Sequence, residues 1–132
     1  MRGLLIAALI MGAGAARTET PDAAAGEWYF DRYCAACHGD TAMGDGEIQD
    51  ILTVPAPDLT RLTAENDGVF PVFRVVSQID GREPLLSHGG EMPLFGHLFD
   101  FSDAVIATDT GQPIITAQPI ADLAAWLESI QE

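Results

Sequence analysis

Apolar residues near the C-terminus recur at Ile120, Leu123, Ala124, Leu127 and Ile130, the 3.6-residue rhythm of a helix with one buried face. This pattern predicts a helix over 119–130. Near the other end, Thr20-Pro21-Asp22 reads as a helix start, with a capping hydroxyl, proline at the first helical position and an acid in the first turn. That helix is expected to run from about Pro21 to Ala36. Thr63-Ala64-Glu65-Asn66 opens another helical stretch, interrupted near Pro71 and ended by Gly81. Its later part, Phe73 to Ile79, has β-branched residues that favour strand but alternates poorly. Leu94 to Phe99 reads as a short helix. Val105-Ile106-Ala107-Thr108 and Pro113-Ile114-Ile115-Thr116 flank Asp109-Thr110-Gly111-Gln112 as a small β-hairpin. The glycine-rich turn from Gly39 to Gly46 does not follow a strand, so it is no nucleotide fingerprint. The chain shows no internal repeat, low-complexity tract or second domain.

The first residues have the order of an export signal. Met1 and Arg2 give a positive start, Leu4 to Met11 an apolar stretch, and Gly12 to Ala16 a small-residue tail. Ala13-Gly14-Ala15 offers a cleavage site, with Gly14-Ala15-Ala16 one step on. The expected organisation is a secretory signal peptide over 1–16 and a single domain over 17–132. No cysteine follows the apolar stretch, which argues against a bacterial lipid anchor. No apolar run reaches the roughly 18 residues of a membrane-spanning helix.

Composition narrows the function classes. The 132 residues are 48% apolar, which excludes a disordered chain and suits one modest core. The chain has no lysine; six arginines face twenty Asp and Glu, for a formal charge of −14. Removal of Arg2 with the signal leaves five arginines and a charge of −15. A nucleic-acid binder needs a basic footprint, so that class is excluded.

Cys34-Ala35-Ala36-Cys37-His38 carries the chemistry, as the C-x-x-C-H pattern of c-type haem attachment. Helix positions three apart lie on nearly one face, so both sulfurs can reach the two vinyl groups of one porphyrin edge. His38 follows as the proximal iron ligand. A thioredoxin-like dithiol would need a βαβ context, whereas the flanks here are helical. A zinc site needs two further ligands, and only His88 and His97 remain, at no recognisable spacing.

The chain resembles the class I cytochromes c, specifically the small monohaem bacterial periplasmic members, over essentially all of its length after the signal. In that family a glycine and an aromatic stand eight and four residues before the first cysteine, as Gly26 and Phe30 do before Cys34. The family's last helix packs an aromatic on that glycine, and Leu123-Ala124-Ala125-Trp126-Leu127 matches its pattern. The resemblance implies an all-α cytochrome c fold, with three to five helices around one covalent haem c, and makes Phe73 to Ile79 helical. The hairpin near 105–116 departs from the simplest members, and both a partner-facing tab and a plain loop suit it.

The resemblance also implies a second axial ligand, a methionine usually followed by proline. Met92-Pro93 fits, 54 residues beyond His38. Met43 lies only five residues from His38 and cannot readily cross to the opposite haem face. His88 and His97 bracket Met92 by four and five residues, and either imidazole could in principle displace it. In the family a proline-containing loop supplies a backbone carbonyl to the proximal histidine ring. Val54-Pro55-Ala56-Pro57-Asp58-Leu59 is the candidate loop here, with Pro55 favoured over Pro57, and a turn that merely ends the segment at Ile51-Leu52 suits it equally. Leu59, Val75, Leu85, Leu94, Phe95 and Leu127 are expected to exclude water; Arg61, Arg74 and Arg82 are candidates to pair with the haem propionates, and plain surface charges suit them equally.

An iron with both axial positions filled has no place for substrate. The expected function is therefore single-electron transfer in the periplasm, by a carrier rather than an enzyme. Its acidity implies redox protein partners with a basic docking patch, and encounter that slows as salt rises. Two further readings stay open. An open-site haem protein would bind small ligands if Met92 does not coordinate, and a haem subunit of a dehydrogenase or oxidase complex would be fixed rather than mobile.

Overall fold

The computed structural model describes residues 20–81, 92–99 and 103–132. The expected signal peptide over 1–16, together with Arg82, Leu85 and His88, lies outside them. Helix α1 (Ala23–Tyr33) starts at Asp22, whose carboxylate accepts from the Ala24 N–H at 2.9 Å. The expected start at Thr20 and Pro21 is thus corrected by two residues. The physical reason is tertiary. The Asp22 N–H donates to Asp122 Oδ1 at 2.8 Å, which holds Asp22 extended and leaves its side chain to cap the helix.

Nor does this helix run unbroken to Ala36. It closes at Cys34, whose N–H bonds Phe30 O and whose backbone opens to φ −118°. A one-turn helix α2 (Ala35–His38) follows directly. The break places the first cysteine between two helices, with the second cysteine and the histidine on the turn that follows.

Helix α3 (Val72–Asp80) buries Val75, Val76 and Ile79, one helical face turned towards the final helix, α4 (Gln118–Ser129). Packing of that face outweighs the strand preference of its β-branched residues. Gly81 ends α3 in a left-handed conformation, its N–H on Ser77 O. Short 3-10 turns at Gln49–Ile51, Leu59–Arg61, Ala64–Asn66 and Gly96–Leu98 connect the larger elements.

Strands β1 (Asp103–Ala107) and β2 (Pro113–Ala117) pair antiparallel, with Ala104 opposite Thr116 and Val105 opposite Ile115. The first pair is buried and the second exposed, so the ribbon turns one face inward. Residue 117 leads straight into α4, which packs against both strands, α1 and α3. This explains why α4 buries more than its predicted stripe: Ala121, Asp122 and Trp126 join Ile120, Leu123, Ala124 and Leu127 in the interior. The all-α expectation with a small hairpin therefore holds, at four helices and one two-stranded sheet among the described residues. None of those helices is long and apolar enough to cross a membrane.

Helices α1 and α4 meet at Gly26. A Cβ there would overlap the Asp122 carbonyl and approach Trp126 Cβ to 2.8 Å, so only glycine permits this crossing. One turn on, the Phe30 and Trp126 rings lie 4.4 Å apart, and the Phe30 ring is 6.5 Å from that of His38. The contact between the chain's two ends thereby reaches the C-x-x-C-H segment.

Candidate functional site

Cys34 and Cys37 are both free thiols and both half-buried. Burial, with a smaller contribution from the neighbouring Cys37, pushes the Cys34 thiol up to about 12. Redox-active dithiols rely on a depressed thiol that is a thiolate near neutral pH. Cys34 is shifted in the opposite direction. Among the described residues no group of three or more His, Cys, Asp and Glu is placed to hold a metal ion.

His38 is 7% exposed, and its Nδ1 stands 3.4 Å from the Pro57 carbonyl oxygen. A carbonyl only accepts, so the hydrogen-bonded ring carries its proton on Nδ1 and its lone pair on Nε2. Burial lowers the histidine below its ordinary range, and the Pro57 bond partly opposes this. The result is a neutral, oriented imidazole with one nitrogen ready to bind a metal.

The orienting carbonyl belongs to Pro57, not to the favoured Pro55. Three contacts set this register. Leu59 N–H bonds Ala42 O at 2.8 Å, Gly44 N–H bonds His38 O at 2.8 Å, and the Gly44 Cα lies against the Ala56 carbonyl. Asp58 then turns the chain: its carboxylate accepts from the Thr60 N–H at 2.9 Å and from the Thr60 hydroxyl at 2.6 Å. Those two bonds hold its carboxyl below the usual range. The glycine-rich loop closes over α2, where a Cβ on Gly46 would overlap the Ala36 carbonyl and the Cys37 backbone.

Met92 is half-buried and packs on the edge of the core. Its segment is fastened on two sides. Phe95 and Phe99 meet Tyr33 and Tyr29 of α1, with the Tyr33–Phe99 centroids 5.4 Å apart and Tyr29–Phe99 5.6 Å. On the other side, the Phe95 N–H bonds Ile79 O at 2.9 Å, and Gln78 Nε2 lies 3.9 Å from Met92 Sδ. The methionine segment thus bridges the end of α3 and the half of α1 that leads to Cys34. Sequence reasoning missed Gln78 and the aromatic cluster; the recurrence of Tyr29, Tyr33, Phe95 and Phe99 was the available signal.

By contrast, Met43 is 49% exposed and His97 is also exposed. Val75 and Leu127 are buried, while Leu59, Leu94 and Phe95 are half-buried. Arg61 and Arg74 are exposed. Two thiols within one turn and a buried, neutral imidazole beside them fit a covalently attached haem, and the Met92 thioether lies at the edge of the core.

Comparison with known families gives a match of residues 23–131 to the family model described as Cytochrome c. No curated protein and no solved structure matches the chain.

Proposed function

This chain belongs to the cytochrome c family, which carries covalent haem c, and on that premise we propose that it is an exported one-electron carrier with a His/Met-ligated iron. In this reading Cys34 and Cys37 attach the haem, His38 is the proximal ligand and Met92 the distal one. The bound haem supplies a one-electron couple. The protein's residues do the rest.

The orientation of His38 carries the proposal. Its Nδ1–H on the Pro57 carbonyl aims Nε2 and makes the imidazole a stronger donor. The soft thioether of Met92 favours the reduced state relative to a second imidazole. Buried Phe30, Val75, Trp126 and Leu127 keep water from the interior, so little rearranges when the charge changes. Acidity supports a partner with a basic docking patch: no Lys or Arg occurs over residues 33–60, where five Asp and Glu stand. Export to the periplasm rests on the leader over 1–16.

The test is optical. The oxidised holoprotein should show the weak far-red charge-transfer band of methionine–iron ligation, and Met92→Ala should abolish it. A band that survives this change overturns the distal assignment. Prompt carbon monoxide binding by the reduced wild type near neutral pH would favour an open-site haem protein instead.

A further inference from the structure

The last turn of α3 grips the segment that carries Met92 at successive residues. Leu94 packs on Gly81, and Gly96 lies against the Asp80 carbonyl and carboxylate with no room for a side chain. The Phe95 N–H bonds Ile79 O at 2.9 Å. Gln78, first in this run, reaches Met92 itself, with Nε2 3.9 Å from Sδ. A thioether sulfur has only weak acceptor capacity and no donor, so the amide N–H end is the one that belongs against it.

We propose that Gln78 is the positioning residue for Met92, donating its side-chain amide to the thioether sulfur. This rests on the reading of Met92 as distal ligand and adds a residue to it. A thioether that gave one lone pair to the iron would keep a second to accept a hydrogen bond, and the Gln78 Nε2 stands 3.9 Å from that sulfur. Two consequences follow. The methionine loses rotational freedom about its sulfur, because one lone pair is tied to a helix that is itself bonded to residues 94–96. In addition, the positive end of the N–H dipole draws electron density from the sulfur, which disfavours the more positive oxidised state and raises the reduction potential.

The experiment compares wild-type holoprotein with Gln78→Met, which keeps volume and removes the donor, and with Met92→Ala. Gln78→Met should keep the far-red band at a displaced wavelength, or lose it where the methionine leaves the iron. Where the band remains, the equilibrium constant for reduction should fall at least threefold, about 28 mV at 59 mV per tenfold for one electron. A band that survives Met92→Ala sinks the distal assignment, and the role of Gln78 with it. A band lost in Met92→Ala, but unchanged in Gln78→Met together with an unchanged potential, overturns Gln78 alone.

One measurement needs no variant and covers a Gln78→Met chain that fails to mature. In the reduced, 15N-labelled wild type, the Gln78 side-chain amide protons should show a nuclear Overhauser effect to the Met92 methyl group. Its absence overturns the proposal.

Discussion

His38 Nδ1 lies 3.4 Å from the carbonyl oxygen of Pro57, nineteen residues further along the chain. That bond joins the C-x-x-C-H turn to a loop whose own shape depends on Asp58. The two Asp58 bonds to Thr60 therefore bear on the imidazole as well as on local stability.

The Asp58 carboxyl is held below its ordinary value of 3.8 by the Thr60 hydroxyl and N–H. A lowered acid stabilises the fold above its unfolded pKa, and that contribution fades as pH falls through the folded value. Asp58→Ala should lower the melting temperature of the holoprotein at pH 7, with the difference from wild type shrinking below about pH 4. Melting curves across pH check this; a difference that persists undiminished in acid contradicts it.

At the helix crossing, Gly26→Ala adds a methyl where the Asp122 carbonyl already sits. The helix preference for alanine contributes about 1 kcal/mol in its favour. Overpacking against backbone should outweigh it, for a net loss of about 2 kcal/mol. Urea unfolding of the holoprotein measures the loss, and a stabilised variant would contradict the close approach.

The Asp122 carboxylate accepts from the Asp22 N–H and from Gln118 Nε2, both at 2.8 Å and both through Oδ1. Asp122→Ala strands two donors and should cost about 2 kcal/mol. Asp122→Asn keeps an acceptor in place and should cost less than half as much. Equal losses from the two changes would show that the negative charge, not the acceptor, matters.

Haem attachment should consume both thiols. Mature wild-type protein is expected to show no titratable thiol after unfolding and to retain its haem in acidified organic solvent. Cys34→Ala/Cys37→Ala should release it. Two free thiols in the matured wild type would remove the covalent reading.

With a formal charge of −14, the chain should react fastest with cationic oxidants at low salt. Stopped-flow oxidation by a cationic metal complex should slow as ionic strength rises, and by an anionic complex should quicken. A rate indifferent to salt in both cases removes electrostatic steering.

Much of the architecture was legible because it is locally encoded. The C-x-x-C-H turn needs only the three-residue geometry of a helix, α4 showed its period, and turn residues marked the hairpin and the stop at Gly81. Even the long-range pairing of Gly26 with Trp126 could be expected, since the resemblance supplied the partner. Residues 73–79 were ambiguous by propensity, and α4 beside them settled the helix.

What the amino-acid order left open depends on segments meeting across many intervening residues. Asp22 rather than Thr20 caps α1 because Asp122 takes its N–H. Pro57 rather than Pro55 faces His38 because Ala42 and Gly44 set the loop's register. Gln78 reaches Met92 because α3 holds the neighbouring backbone. Spacing along a chain specifies which side chains share a turn, but a hydrogen bond between distant segments exists only once packing brings donor and acceptor within reach of each other. The C-x-x-C-H pattern was therefore written in five consecutive residues, while the groups that hold His38 and Met92 were chosen by the fold.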